Sequence, residues 1–362
     1  MLFRKRRKVE EMDWARYEKE VFSRTIEQEF IARRVLVRRG TPMSSPENFL
    51  FFKYDSHLPI FNGFVNYGDY IQTIATKLAV ESVIDSGFKF DFVDRDSLFY
   101  YVPKEDEFAI SICLMQGWFS HTLNFFPNKN ICPIWIGVHF NRVVHKYIEQ
   151  ALAVDPLFFR EEVGCRDLST LDFLRNLGVR AYFSRCLTLT LPKRKTQGQQ
   201  DKIYFVDIPD EVMKLFPLKI KENAEVRRQR WCHVGNEYWK KTYDHAQEIL
   251  DDLQQAHLVI TSALHCAAPC VAMGIPVILI SLDPLENANR FSALNGILNS
   301  ITVNEIIDRR VSYDVVAPDI EELKMAMLKN VSLVIQRTGR GGVSNSELKD
   351  VRDYISNYSV VG

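Results

Sequence analysis

The chemically suggestive residues of this chain fall at four places where an apolar run gives way to a polar turn. The first is Val259-Ile260-Thr261-Ser262-Ala263-Leu264-His265, followed by Cys266-Ala267-Ala268-Pro269-Cys270. A buried strand would deliver Thr261 and Ser262 to its carboxyl end and leave His265 in the first turn of the next helix. An imidazole so placed suits a general acid, or a cation held against a bound phosphate. The plainer alternative is a histidine satisfied within the core. The second place is Gly164-Cys165-Arg166-Asp167-Leu168-Ser169. Asp167 or Ser169 could cap the following helix, whose N-terminal amides favour anions. Arg166 adds a fork that grips a carboxylate or phosphate at two points, or else makes an ion pair between domains.

The third place is Phe64-Val65-Asn66-Tyr67-Gly68-Asp69-Tyr70-Ile71-Gln72. Gly68 permits a tight turn, and Asp69 stands where an N-cap or first-turn carboxylate belongs. Asn66 and Gln72 are not required as caps, which points them toward a ligand. The fourth is Asp283-Pro284-Leu285-Glu286-Asn287-Ala288-Asn289-Arg290-Phe291, an unusually polar loop that is either a ligand contact or an ordinary surface turn. There is no G-x-x-x-x-G-K-[ST] loop and no G-x-G-x-x-G after a strand, which argues against Walker-type ATP use and dinucleotide binding. No H-E-x-x-H or G-x-S-x-G is present, and Asp91 and Asp94 sit around an expected strand rather than on a ligand loop, so no metal or other cofactor is expected.

These segments need strands and helices behind them. Phe49–Tyr54 (FLFFKY) reads as a buried first strand, and Tyr70–Ser86 as a helix with Ile71, Ile74, Ala75, Leu78 and Val83 on one stripe. Strands are expected at Phe90–Val93, Ala109–Leu114 and Ile131–Val138. Asp167–Leu177 is a helix stopped by Gly178, and a strand begins at Ala181. After the polar stretch Pro192–Gln200 (PKRKTQGQQ) the alternation restarts. Strands are expected at Lys202–Asp207, His257–Thr261 and Pro276–Ser281, and helices at Tyr243–Gln255, Leu264–Met273 and Ser346–Tyr358. Repeated β-then-α units with near-continuous apolar strands predict parallel sheets covered on both faces. The chain divides into an extension at 1–45, an α/β domain at 46–192, a linker at 193–200, a second α/β domain at 201–345 and a terminal helix at 346–362. Two Rossmann-like domains facing across a cleft would place the ligand outside the carboxyl ends of the strands.

Bulk composition fits that plan. The 362 residues are 46% hydrophobic, enough for two cores, and the charge balances at 46 basic against 46 acidic residues, which gives no reason to expect a nucleic-acid partner. The seven cysteines lack C-x-x-C spacing; Cys266 and Cys270 read as small buried hydrophobes, and the free thiols suit a reducing cytoplasm. No secretory signal or membrane-spanning run is evident, which predicts a soluble protein. Residues 1–40 hold 12 Lys/Arg against 7 Asp/Glu. They predict an amphipathic helix whose basic start, residues 4–8, is either a solvated face or a peripheral contact with anionic membrane.

Five pieces, NYGDYIQT (66–73), CRDLSTLDFLRNLGV (165–179), YFSRCLTLTLP (182–192), AHLVITSALH (256–265) and GIPVILI (274–280), resemble the polysaccharide pyruvyl transferase family, in the family's order. The resemblance implies a fold similar to the two-domain GT-B glycosyltransferases. It implies transfer from phosphoenolpyruvate to hydroxyls of a glycan or lipid-linked sugar acceptor, giving a pyruvate ketal in a surface or capsular polysaccharide precursor. It also implies that His265, Arg166 and the Gly68-Asp69 turn line the site. The donor's carboxylate and phosphate call for Arg and helix amides, protonation of its methylene carbon for an acid such as His265, and the sugar hydroxyl for a base such as Asp69. Many family members carry Arg where this chain has Ala263, and Lys where it has Leu285; Arg290 can restore the lost charge.

Two other functions fit the same residues. A nucleotide-sugar glycosyltransferase would use a carboxylate or amide on the donor ribose, for which Glu286 could serve; Ser262 and Asn289 are expected to contact the substrate under either reading. A non-catalytic subunit of a glycan-assembly complex would lack a group poised for proton transfer, which His265 argues against. If the basic start is a tether, deletion of residues 1–8 should reduce cosedimentation with vesicles containing anionic lipid, and unchanged sedimentation would refute it.

Overall fold

The computed structural model describes residues 48–54, 64–84, 87–103, 110–120, 123–195, 202–232, 238–339 and 341–361. The basic extension, its expected tether and most of the 193–200 linker lie outside them. Strand β1 (Asn48–Lys53) is buried along Phe49–Phe52, as its run of large apolar residues requires. β2 (Phe64–Asn66) is short; β3 (Lys89–Asp94) and β4 (Ser111–Leu114) flank β1 in parallel, and β6 (Ile131–Ile134) joins β4. The chain runs on from β4 into β5 (Gly117–Phe119) and from β6 into β7 (Val138–Phe140). These begin a second parallel sheet, ordered β5-β7-β8-β9, with β8 (Val163–Cys165) and β9 (Ala181–Phe183). The single strand expected over 131–138 is therefore two, because Gly137 takes the left-handed conformation at φ +68° and turns the chain between them.

A third parallel sheet is ordered β11-β10-β13-β14-β15. Its strands are β10 (Lys202–Val206), β11 (Ala224–Arg227), β13 (Ala256–Thr261), β14 (Val277–Ser281) and β15 (Ser300–Thr302). Side chains alternate strictly here. Ile203, Phe205, Leu258, Ile260, Ile278 and Ile280 pack on one face, while Tyr204, Val206, Val259, Val277 and Leu279 join the apolar cluster that runs through the first sheets. The remaining strand, β12 (Arg230–Cys232), pairs antiparallel with β2, with Arg230 opposite Asn66. A stretch from after β11 thus pins the segment that leads into the first site helix.

Eight helices matter to the site: α1 (Tyr67–Val83), α2 (Arg142–Val154), α3 (Leu168–Asn176), α4 (Tyr238–Leu253), α5 (Leu264–Met273), α6 (Pro284–Arg290), α7 (Glu321–Gly339) and α8 (Asn345–Asn357). α5 ends at Gly274, φ +70°, as expected for a left-handed cap. Three features differ from the sequence reading. α1 starts at Tyr67, three residues early, because Asn66 is its cap. The polar segment 283–291 is mostly the helix α6, for which Pro284 is a natural first residue. α2 and α7 were not expected, although α2 carries a readable pattern, with Val143, Val144, Tyr147, Ile148 and Ala151 buried along one face behind the cap Asn141. Among the described residues no helix is long and apolar enough to cross a membrane.

The two C-terminal helices lie back across the first half of the chain. Asn330 on α7 donates to the Tyr182 hydroxyl at 2.8 Å, and Arg352 on α8 pairs with Glu162 at 2.6 Å. The strongest attachment is Arg185. It is 2% exposed, and its guanidinium donates to four backbone carbonyls: Ile355 at 2.9 Å, Ala293 at 3.2 Å, Asn295 at 2.7 Å and Tyr358 at 2.8 Å. Burial pushes this guanidinium down to about 10, so it remains a cation at neutral pH. A planar fork can reach four acceptors at once and an ammonium cannot. Arg185→Met should therefore destabilise the protein by on the order of 3–5 kcal/mol by stranding buried carbonyls, and Arg185→Lys should recover little of it. Denaturant midpoints of the three proteins check this, and a wild-type midpoint for Arg185→Met would reject it.

Candidate functional site

The site forms where the carboxyl ends of β7, β8 and β13 meet the start of α1, the position expected for a ligand in open parallel sheets. α1 begins with Asn66, whose side-chain oxygen accepts from the Gly68 amide at 2.9 Å. Asn66 is thus the helix cap, and the expectation that it was spare for ligand binding is corrected. Gly68 makes no tight turn. It lies inside α1 at the point of contact with His265, and a Cβ built there would sit 2.4 Å from the His265 Cβ. Glycine is required because the helix and the histidine touch. One turn on, the Gln72 amide nitrogen lies 3.3 Å from His265 Nδ1, and its carbonyl oxygen is buried without a partner. A donor from Gln72 fixes Nδ1 as an acceptor and places the ring proton on Nε2.

Asp69 is half-buried in the first turn of α1, and its charge is felt at Tyr54 and Arg95. Ser262 closes β13 and donates to the Asp207 carbonyl at 2.6 Å, while Thr261 donates to Val206 at 3.0 Å and accepts from the Ala263 amide. Both hydroxyls tie β13 to its neighbour β10. Arg290 and Asn289 end α6 on its exposed side. Glu286 and Leu285 lie on the same helix, with side chains outside the described residues.

At the end of β8, Arg166 is 5% exposed, and its Nε and Nη1 have no hydrogen-bond partner. Nε sits 3.9 Å from Asp167, near enough for charge attraction but not for a hydrogen bond. Asp167 is the cap of α3, as expected: one oxygen accepts from the Thr170 amide at 2.9 Å and from Ser169 at 2.7 Å. Its other oxygen meets His139 Nδ1 at 2.6 Å. His139 was missed in the sequence because the strand was expected to stop at Val138, one residue short. A histidine between two apolar strand residues, just before the helix-capping Asn141, was the signal available. The Leu168 amide, next along α3, donates to Ser292 Oγ at 3.1 Å, which joins α3 to the turn after α6.

Residues 66–284 match the model of the family described as polysaccharide pyruvyl transferase, well over half of the chain. The chain belongs to this family. No curated protein matches it. Membership makes the chain a transferase of polysaccharide biosynthesis at the level of the family. The matched stretch opens at the α1 cap and contains Gly68, His139, Arg166 and His265, while Arg290 and Ser292 lie just beyond its end.

In this pyruvyl transferase family member the site is cationic, and the charge acts on its histidines. Burial, then Arg166, Arg290 and His139, push the His265 imidazole well below its ordinary 6.5. Its place in the first turn of α5 adds the positive end of the helix dipole. His139 is also lowered, by burial first and then by Arg166 and Arg290, against the pull of Asp167. Asp167 is held ionised well below the ordinary carboxylate range: burial opposes this, but His139 and Arg166 outweigh it. The site at rest thus offers Arg166 donors and two neutral imidazoles, an arrangement suited to an anionic ligand.

The folded-state value of His265 lies below the unfolded one, so the unfolded chain takes up the proton first. Its contribution to stability is complete above about pH 6.5 and is lost as pH falls below it. In a 15N-histidine NMR titration His265 should remain neutral at pH 6, and titration near 6.5 would contradict the cationic surroundings described.

Proposed function

We propose that the chain transfers the enolpyruvyl-derived group of phosphoenolpyruvate to hydroxyls of a sugar in a surface or capsular polysaccharide precursor, giving a pyruvate ketal. The observation that carries this reading is Arg166, a buried guanidinium with two nitrogens lacking partners, beside the N-terminus of α3 and in electrostatic reach of Arg290 and His265. Phosphoenolpyruvate brings a carboxylate and a phosphate, and unmet buried donors are costly until such a ligand arrives. In this reading the two halves, 46–192 and 201–345, form the GT-B arrangement with the donor between them. Arg166 and Arg290 hold the anionic groups. His265, oriented by Gln72, protonates the methylene carbon once the donor's negative charge has offset the surrounding cations. In the same reading Ser262 and Asn289 supply further polar contacts to the ligand. The free thiols of Cys113, Cys165, Cys186, Cys266 and Cys270, all buried, are in keeping with a cytoplasmic setting.

The test is thermal-shift and calorimetric binding of phosphoenolpyruvate beside UDP-glucose, GDP-mannose and free nucleotides. Phosphoenolpyruvate alone should stabilise the protein, and Arg166→Ala should weaken its binding at least tenfold. His265→Ala should keep a measurable fraction of that binding and lose turnover. Stabilisation by a nucleotide-sugar alone would instead assign the site to a glycosyltransferase.

A further inference from the structure

We propose that His139, held by Asp167, is the general base that removes the proton from the attacking sugar hydroxyl. The proposal rests on the pyruvyl-transfer reading for the identity of the reaction, but its geometry is independent of it. Asp167 is 1% exposed, and its first oxygen is fully engaged as the cap of α3, which fixes the carboxylate in place. Its second oxygen is thereby aimed at His139 Nδ1, at 2.6 Å. An ionised carboxylate can only accept, so Nδ1 carries the proton and the lone pair of the neutral ring is on Nε2. No hydrogen bond among the described residues engages Nε2, and the His139 side chain retains 20% exposure.

The other described histidines differ in kind. His145 stacks on Phe173 at 3.5 Å and bonds the Phe140 carbonyl through Nε2. His245 pairs with the exposed Glu248 on α4. His265 has no carboxylate among the groups that shift it and is surrounded by cations, so a proton gained there has no counter-charge from the protein. His257 is exposed on β13. Among the described histidines only His139 combines a fixed buried carboxylate with a place beside the cationic site. The groups that face it are Asp167, Arg166 and Thr170 from the β8–α3 turn, Arg290 from α6, and the two imidazoles of His145 and His265.

The chemistry requires such a base. Two sugar oxygens form bonds to C2 of the donor, the bond from C2 to the phosphate oxygen breaks, and C3 gains one proton. Of the two hydroxyl protons released, one balances the proton on C3 and the other leaves with inorganic phosphate. His139 Nε2 takes a hydroxyl proton as the oxygen attacks C2. Asp167 stabilises the imidazolium formed, and the proton passes to the departing phosphate. Asp167 acts through His139 and is a positioning residue.

The experiment has a substrate-free arm and a kinetic arm. In 15N-histidine NMR of the wild-type protein at pH 7, His139 should be neutral with its proton on Nδ1; the Nε2–H tautomer would overturn the proposal. Phosphate release from phosphoenolpyruvate is then followed with p-nitrophenyl glycosides, and with water, as acceptors. His139→Gln should lower kcat by roughly 10²–10⁴ while the thermal shift given by phosphoenolpyruvate is retained, and added imidazole should restore part of the rate to His139→Gly. Asp167→Asn keeps a competent helix cap and removes the charge, so the acid limb of the rate profile should move to lower pH. Near-normal kcat in His139→Gln, or an unmoved acid limb in Asp167→Asn, would overturn the proposal. If the wild type binds UDP-glucose and not phosphoenolpyruvate, the pyruvyl reading fails, and the same variants assayed with UDP-glucose as donor decide the dyad separately.

Discussion

Much of the site depends on one guanidinium that never touches it. Arg185 follows β9 and holds four carbonyls contributed by the turn after α6 and by the end of α8. That turn carries Ser292, whose hydroxyl accepts from the first amide of α3 and donates to Asn289. α3 in turn begins at the Arg166-Asp167 pair. A buried cation whose hydrogen bonds all go to carbonyls, with the Phe183 ring 4.9 Å beneath its guanidinium, is a directional constraint rather than a strong charge pair: each bond is modest, but losing the donor would strand several acceptors together. Arg185 itself takes a positive φ of 60°, a strained conformation for a non-glycine residue. The surrounding bonds offset that cost, and the cost shows how fully the position is determined.

A second attachment lies on the other side of α1. β2 is paired with β12, and the Tyr67 amide donates to the Gln229 carbonyl at 2.9 Å. Tyr70 and Thr73 then bond backbone groups of β1 and the residue after it, and Tyr70 packs edge-on against Tyr243 of α4. Gly68 is consequently fixed against both halves of the chain, and its missing Cβ sets how close α5 can come. The contact between Gly68 and His265 is thus a spacer of zero thickness. It brings Gln72 into register with Nδ1, and the ring orientation follows from the backbone packing.

The sequence made the three central strands of the third sheet legible, because β10, β13 and β14 are apolar runs, whereas the edge strands β11 (AEVR) and β15 (SIT) are half-exposed and carry no such signal. A left-handed glycine at 274 ends α5 where expected. The placement of His265 at the start of that helix followed from the same pattern. Arg166 and Asp167 were legible as a cap and a neighbouring cation, because capping is local chemistry. What could not be read was whatever required another part of the chain. Gly68 looked like a turn residue because its real partner, His265, is almost two hundred positions away. Asn66 looked spare because the helix was expected to begin at Tyr70. His139 was hidden by a glycine that splits one apolar run into two strands. The segment after β14 resembled a loop since its polarity belongs to a short exposed helix.

The two histidines of the site are made different by their partners rather than by their burial. Both are pushed down by desolvation and by the same arginines. His139 has a carboxylate on one nitrogen, so the protein itself stabilises the cation that forms when a proton arrives. His265 has an amide, which fixes the ring but supplies no charge. Any stabilisation of a His265 cation must therefore come from the bound ligand, and a ligand with two anionic groups between Arg166 and Arg290 would supply it. On the proposed mechanism, proton uptake at His265 would be tied to donor binding, whereas at His139 it would await only a hydroxyl in reach. In the proposed reaction, such a division would separate the group that responds to the donor from the group that serves the acceptor. The one buried aspartate of this cationic site is bonded to His139, so within the protein it is the His139 imidazolium, and not that of His265, that has a counter-charge.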